Sequence, residues 1–201
     1  MPLPTLAEID EDLRTVRKSL RAAGVPQSLL NSVRTRALKT GRRQTGPHKG
    51  NRADRWDVVT SDPQYGSETD CKLILLRLYA MMLEFKNAPN VDDPTKFTLE
   101  KYLGRPIQKG LYRDPLTKER LDFRSFVAES EHPQHGKSDF HLGHEYPKAV
   151  PKHTPANIDW RSARSNLIQG DLTLAQARTK FVELIARYFD LGEVKIEPEG
   201  K

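Results

Sequence analysis

The pattern of apolar and polar residues predicts a helical hairpin at the start of the chain. Apolar residues recur at alternating intervals of three and four, as on one face of a helix that Gly24 ends: Leu6, Ile9, Leu13, Val16 and Leu20. Thr5 and Glu8 have the spacing of a capping box at its start. A second predicted helix opens at Pro26 and stops at Gly41, with Leu29, Leu30, Val33 and Ala37 on one face.

The middle of the chain predicts one buried helix followed by less regular structure. Residues 71–85 are apolar almost all round, so this helix should be the most buried in the protein. Residues 87–96 are rich in Asn, Asp and Pro and are interpreted as a linker, where a subdomain boundary could lie, before a short segment at residues 99–103. The alternation in residues 121–127 predicts a strand, and residues 129–137 a loop.

The last third predicts two strands and two helices. Residues 138–144 and 157–162 suit strands, and residues 163–169 suit a short helix that Gly170 ends, which makes a β-β-α unit. Thr173 and Gln176 then cap a final helix that Gly192 stops. We expect its apolar face to pack on the β-β-α unit: Leu174, Ala177, Phe181, Leu184, Ile185, Tyr188 and Phe189.

Length and composition indicate a folded α+β protein. A chain of 201 residues suits one domain, or a compact unit with a helical extension. Mean hydropathy is −0.69, which is polar, yet the apolar residues are periodic, unlike those of a disordered chain. We divide the chain into a helical, basic accessory region at 1–95 and a second region at 96–201.

Positive charge is concentrated in one stretch. Lys and Arg number 33 against 27 Asp and Glu, giving a net charge of +6, which favours a polyanionic partner. Between residues 34 and 55 only Asp54 is acidic. We predict that the basic side chains of this stretch contact DNA: Arg34, Arg36, Lys39, Arg42, Arg43, Lys49, Arg52 and Arg55. The alternative is that they form a solvated helix face and a charged loop. Residues 41–50 lack an apolar period and are expected to form a mobile loop.

Cysteine content and hydropathy exclude several classes of protein. A lone cysteine, Cys71, excludes an intrachain disulfide and the paired Cys-x-x-Cys knuckles of a structural zinc site. The chain starts without the basic and apolar regions of a secretory leader, and no apolar run reaches the ~20 residues of a membrane span. We therefore expect a soluble, cytoplasmic protein without a membrane partner.

Three polar residues near the C-terminus could carry chemistry. His144 ends the first predicted strand, Asn157 opens the second, and Asn166 lies nine positions further on in the short helix. An imidazole can take a proton from water near neutral pH, and an amide oxygen is a ligand for a hard cation such as Mg²⁺. Singly, Asn157 could be an ordinary turn residue and Asn166 a surface amide.

The segment Gly143-His144-x-x-Pro147, with Asn157 and Asn166, resembles HNH endonucleases of the ββα-metal class, in the variant whose last histidine is asparagine. The resemblance covers about residues 112–171. It implies a ββα-metal core packed with N-terminal and C-terminal helices, so that residues 96–201 would be the HNH-like nuclease core with its C-terminal helix. It also implies that His144 is the general base, that Asn157 ties down the loop and that Asn166 binds Mg²⁺ or Mn²⁺.

Two positions depart from the family pattern. Many members have aspartate before the base as a second metal ligand, and here that position is Gly143. His141, on the same strand face, is a candidate substitute ligand. Zinc-bearing relatives begin a treble-clef near Asp114-Pro-Leu-Thr117, so packing must replace zinc in this chain. We predict further DNA contacts from three basic residues around the unit: Lys152, Arg161 and Arg164.

The leading hypothesis is therefore a metal-dependent endonuclease acting on double-stranded DNA, with a type II restriction enzyme as its most specific form. The alternatives are a non-specific or structure-selective nuclease of a phage or mobile element, and a nucleic-acid-binding protein on a decayed nuclease scaffold. Trp160 is interpreted as a core anchor, and the loop histidines His48, His132, His135 and His153 as bystanders. The stripe from Leu6 to Leu20 could pair two subunits or pack on its own core.

Overall fold

A computed structural model describes residues 4–41, 52–134 and 137–194. Within these ranges the chain forms a mostly helical fold with one two-stranded antiparallel sheet. The elements, in chain order, are α1 Leu6–Ala22, α2 Gln27–Leu38, α3 Glu68–Met82, α4 Asp93–Leu103, α5 Phe123–Glu131, β1 Phe140–His144, β2 Ile158–Ser162, α6 Ala163–Gln169 and α7 Leu174–Asp190. The expected α+β class is confirmed.

The N-terminal hairpin forms as predicted. The side chains of Thr5 and Glu8 complete a capping box on α1, and the helix ends just before Gly24. Its apolar stripe is buried in the core of the same chain, so of the two alternatives for that stripe the packing role is confirmed: Ile9, Leu13, Val16 and Leu20. α2 stops earlier than predicted, because Lys39 turns into an extended conformation and Thr40 pairs with the backbone of Ala53. The predicted loop at 41–50 lies almost entirely outside the described residues.

α3 is the central helix, as its almost uniformly apolar sequence predicts. The hydroxyl of Tyr79 donates to the backbone carbonyl of Leu30 at 3.3 Å, which fastens α2 to α3. Trp160 of β2 is fully buried, and its indole Nε1 donates to the carbonyl of Leu78 at 3.0 Å. The interpretation of Trp160 as a core anchor is thus confirmed, and the sheet is tied to α3 through this side chain.

Two predictions for the middle of the chain are wrong. The Asn- and Pro-rich linker contains the start of α4, because the carboxylate of Asp92 accepts from the backbone amide of Thr95 and caps the helix. The segment predicted as a strand is largely the first turn and a half of α5. Asp122 caps α5, and Phe123 and Phe126, three residues apart, both lie in the core. A short alternating stretch fits both the period of a strand and that of a helix, and the N-cap residue distinguishes the two.

One apolar cluster contains residues from both sides of the division proposed at residue 95, from Ile9 in α1 to Trp160 in β2. The division itself stays a prediction. Across the described ranges, no helix has both the length and the apolar character needed to cross a membrane.

The β-β-α unit forms near its predicted bounds. β1 and β2 pair in antiparallel register, with Leu142 opposite Trp160 and His144 opposite Ile158. Because side chains alternate along a strand, His141 and Gly143 share the opposite face of β1. α6 follows β2 without a loop, since Ser162 is both the last strand residue and the helix N-cap.

The buried carboxylate of Asp114 joins this unit to the preceding loop. Its Oδ1 accepts from the backbone amides of Leu116 and Thr117 at 2.8 and 3.0 Å and from the Ser165 hydroxyl at 2.6 Å. Its Oδ2 accepts from the backbone amide of Ser162 at 2.8 Å. These four hydrogen bonds fix the junction of β2 and α6 near the place where a treble-clef was expected to begin.

The final helix departs from prediction. The capping box of Thr173 and Gln176 is present, but only Leu174 and Ala177 of α7 are buried, against Leu116. The apolar face beyond Phe181 is exposed. The expectation that this face packs on the β-β-α unit is therefore wrong, because α7 leaves the unit after its first turns.

Replacing Asp114 by Asn should unfold the protein at lower denaturant concentration. The amide keeps one acceptor oxygen and turns a donor toward the Ser162 amide, so we expect a loss of about 3 kcal/mol in the free energy of unfolding. Urea denaturation followed by circular dichroism measures this loss. The matched change Asp139→Asn at an exposed position should leave the midpoint unchanged; equal midpoints for both variants would contradict the role given to Asp114.

Candidate active site

The fold brings His144 and Asn166 to one pocket. His144 ends β1 and Asn166 lies on α6, and both line a surface pocket of about 350 Å³. The other lining residues are Pro147, Lys152, Leu167, Gln169, Gly170 and Asp171. Asn157 is outside the pocket, in a single 3₁₀ turn directly before β2. Two of the three predicted residues therefore share a surface, and the third lies behind it.

Asn157 is buried and holds the loop between the strands through its side chain. Its Oδ1 accepts from the backbone amide of Tyr146 at 2.7 Å. Its Nδ2 donates to the backbone carbonyls of Tyr146 and Lys152 at 3.1 and 2.7 Å. One side chain thus bridges the two ends of the loop that starts at Glu145. This is the geometry that a loop clamp requires, and a turn residue bonded only to its own backbone would not produce it.

His144 is held in a positively charged, partly buried setting. Gln169 donates through Nε2 to the backbone carbonyl of His144 at 2.8 Å, which fixes the end of β1 against α6. The ring Nε2 of His144 is shielded from solvent and has no hydrogen-bond partner in the described parts of the chain. Burial lowers the pKa of His144 to about 4, and the positive charges of Lys152 and Arg55 act in the same direction. The imidazole is therefore neutral near pH 7.

A second histidine packs beside the first. The rings of His144 and His153 are 6.4 Å apart, centroid to centroid. His153 is almost fully buried, and its Nε2 lies 2.7 Å from the carbonyl oxygen of Ala37 in α2. Burial lowers its pKa to about 3, so it too is neutral near pH 7. In sequence His153 resembles a bystander because its neighbourhood is polar, and only the tertiary fold places it against α2.

Arg161 explains the glycine before His144. A Cβ atom on Gly143 would overlap the aliphatic part of the Arg161 side chain, so an aspartate cannot be accommodated without moving that side chain. Arg161 is fully buried and donates through Nη1 to Oε1 of Gln169. Its Nε and Nη2 lack hydrogen-bond partners among the described residues. Arg161 was predicted to contact DNA; its burial is at odds with direct contact to a phosphate.

The donors that could hold a cation are few. Nδ1 of His141 lies 3.4 Å from Nδ2 of Asn166, and a half-turn of the amide would present Oδ1 there instead. Among residues 4–41, 52–134 and 137–194, no three His, Cys, Asp or Glu side chains gather as a metal site would require. One amide and one imidazole fit a loosely held, largely hydrated divalent ion whose remaining ligands are waters and substrate oxygens.

A larger basic cleft adjoins the pocket. It has a volume of about 600 Å³ and lies between α2 and α5, where it reaches β1 at Phe140, His141 and Leu142. His141 lines the cleft and contacts Asn166, which lines the pocket. The two depressions therefore meet at the candidate cation donors.

Three of the predicted DNA-binding side chains in the cleft have partners within the protein. Arg36 pairs with Glu129 at 2.8 Å, and Lys39 pairs with Asp54 at 2.8 Å. Arg55 is partly buried and donates to the backbone carbonyl of Gln64 at 3.0 Å. These side chains shape the cleft and give its walls charge, but each is already engaged.

The exposed basic side chains are distributed differently from the prediction. Arg52 is exposed and lines the cleft, as does Lys137, which the sequence does not single out because it is isolated from the basic stretch. Arg34 and Arg164 are exposed but line neither depression, and Lys152 lines the pocket. Arg42, Arg43 and Lys49 lie outside the described residues.

Comparison with known proteins gives a match in structure alone. No family model matches the chain, and no curated protein matches it in sequence. A solved structure described as a type II restriction endonuclease superposes with a TM-score of 0.52 at 21% sequence identity. The match covers 62% of this chain and 54% of that one, so it spans about half of the neighbour's length. The chain thus shares a fold with part of a type II restriction endonuclease of known structure.

Proposed function

We propose that this protein is an endonuclease that hydrolyses phosphodiester bonds in double-stranded DNA, with the HNH type of active site and, in its most specific form, the role of a type II restriction enzyme. The observation that supports this most is the shared pocket of a neutral, partly buried His144 and Asn166, with Asn157 clamping the loop beside them. The fold shared with a restriction endonuclease supports the same proposal.

His144 is the general base of the proposed reaction. Its ring takes a proton from a water molecule as the water oxygen attacks phosphorus, the bond from phosphorus to the 3′ oxygen breaks, and the leaving oxygen gains a proton from solvent. General bases contribute about 10²- to 10⁴-fold to such rates. A histidine that is neutral in the free enzyme is already in the form that accepts the proton, and Lys152 in the same pocket is placed to attract a phosphate.

Asn166 and His141 are the residues that would hold Mg²⁺ or Mn²⁺. When bound, such an ion neutralises charge on the phosphate and supports the leaving oxygen. The imidazole of His141 favours Mn²⁺ over Mg²⁺, because Mg²⁺ takes oxygen ligands almost exclusively. We expect no structural zinc, since Asp114 and the apolar core hold this region together.

The DNA backbone is proposed to follow the cleft. Arg52 and Lys137 are the exposed cations along it, and its inner end meets the pocket at His141. Phosphate contacts of this kind orient the duplex without reading its sequence. A target sequence would be read by other side chains that approach the base edges.

A second candidate function is nucleic-acid binding without cleavage. One observation favours it. The Arg161 side chain fills the space that a side chain at position 143 would occupy, and many HNH enzymes have an acidic metal ligand at that position. A cleavage assay with Mg²⁺ and with Mn²⁺ separates the two functions. Binding without cleavage under both conditions would favour the second.

The change His144→Ala should lower the rate of plasmid cleavage by at least about 100-fold, because it removes the proposed proton acceptor. DNA affinity, measured by fluorescence anisotropy, should change by less than about threefold, since His144 contributes no charge near pH 7. His132→Ala, at an exposed position, is the matched control and should cleave normally. Equal loss of binding and cleavage would contradict the assigned role. Cleavage undiminished in EDTA would contradict the cation assignment.

The pH dependence of cleavage should show the low pKa of His144. Since the neutral ring is the active form, kcat/KM falls as pH drops through the pKa of the free enzyme, so the acid limb should have its midpoint well below 6.5. Lys152→Ala removes a positive charge and should raise that midpoint. Lys148→Ala, in the same loop but exposed, should leave it in place. A wild-type midpoint at 6.5 or above would count against the proposed setting of His144.

Paired neutralisation tests the path of the DNA. Arg52→Ala with Lys137→Ala should reduce the slope of log K against log salt concentration by about 0.9 for each phosphate that these side chains neutralise in the wild type. Arg14→Ala with Arg34→Ala removes the same charge from exposed positions outside the cleft and should leave the slope nearly unchanged. A larger effect from the control pair would contradict a DNA path along the cleft.

A further inference from the structure

α7 is anchored at one end only. Its first residue, Leu174, donates through the backbone amide to the carbonyl of Glu145 at 2.9 Å, and Leu174 and Ala177 pack on Leu116. Arg178 donates to the carbonyl of Pro115 at 2.7 Å. From residue 182 to residue 194 every residue is exposed. About half of this helix therefore extends away from the rest of the described chain.

The extended part carries a large apolar surface. Its apolar side chains are between 36% and 70% exposed: Val182, Leu184, Ile185, Tyr188, Phe189, Leu191 and Val194. At roughly 100 Å² for each half-exposed side chain, the free apolar area is on the order of 700 Å². A standard stable protein interface buries about 800 Å² on each partner, and exposed apolar patches of this size mark interaction sites.

The apolar residues continue a heptad pattern. One stripe runs along the helix at alternating steps of three and four: Leu174, Ala177, Phe181, Leu184, Tyr188 and Leu191. Its first members contact Leu116, and its later members have no partner among residues 4–41, 52–134 and 137–194. A helix segment of this length is marginal in water unless its apolar face is packed. The stripe is the pattern by which two helices of the same kind pack side by side.

We propose that a second copy of this chain covers the apolar face of α7, so that the protein is a homodimer joined through residues 181–194. A heptad stripe is self-complementary, and a two-fold axis lets the same face serve both partners. The free area is close to what such an interface needs. A nucleic-acid backbone is a poor occupant because this face carries apolar side chains rather than phosphate-binding groups.

This surface replaces the one suggested by the sequence. The stripe on α1 that could have paired two subunits is buried in the core, whereas the stripe on α7 is free. Association through this face does not depend on cleavage. The first turn of α7 is bonded to Glu145, directly after His144, so the helix that carries the interface begins beside the pocket.

Sedimentation equilibrium of the full chain between 1 and 100 μM tests the proposal. The wild type should sediment as a dimer. The double change Leu184→Glu and Tyr188→Glu places two charges in the stripe and should weaken association by about 100-fold or more, since buried aromatic and apolar anchors dominate interface energies. Because both side chains are exposed in the single chain, the thermal midpoint of the monomer core should be preserved.

The matched control adds the same two charges on the polar side of α7, by Thr179→Glu and Ala186→Glu, and should remain a dimer. The variant Leu191→Cys gives a second measurement, because the native Cys71 is buried. Oxidation should crosslink two copies of this variant when the partner helices lie in parallel register. A confirmed dimer that does not crosslink would indicate an antiparallel pair. A wild type that is monomeric at 100 μM overturns the proposal. So does an assembly that the charges at positions 184 and 188 leave intact.

Discussion

The position of α6 depends on two buried charges. The helix has seven residues, too few to be stable by itself, so Asn166 could hold an ion as proposed only if other contacts fix the helix. The Asp114 carboxylate holds its first turn through the Ser162 amide and the Ser165 hydroxyl. The Arg161 guanidinium holds its last residue through Gln169, which in turn bonds the carbonyl of His144. The opposite charges of Asp114 and Arg161 also attract one another across the base of the helix.

The same arrangement limits the candidate site. The Arg161 side chain lies where a residue at position 143 would extend, so the interaction that fixes α6 also excludes a carboxylate beside His144. A buried positive charge near the donors lowers their affinity for a cation as well. If this chain cleaves DNA, a larger share of the ion's ligands must come from water and from the substrate than in a site with two acidic residues. Catalysis would then depend more on how the DNA is held in the cleft.

Much of the fold could be predicted from local patterns, because capping boxes and apolar periods act within a few residues. α1, α3 and the β-β-α unit all follow from such signals. α5 resembles a strand in sequence because Leu121, Phe123 and Val127 fit an alternating pattern, while the cap at Asp122 is the better guide. The exposure of α7 could not be predicted, since an amphipathic helix has the same sequence whether it packs on its own chain or on another.

The residue types of the candidate site come from the resemblance to HNH enzymes, and their surroundings could not be predicted. The fold brings His144 and Asn166 to one pocket, while the roles given to them and to Asn157 stay predictions. The burial of Arg161 and His153 could not be predicted, because charged and polar residues are usually exposed and only long-range packing draws these two inside. His153 shows the consequence: it bonds α2 through Ala37 and packs near His144, while Arg55 from the accessory region adds positive charge there. Arg55, in the accessory region, is therefore part of what keeps the proposed base neutral. A segment that looks in sequence like a separate DNA-binding region thus also affects the pKa of His144.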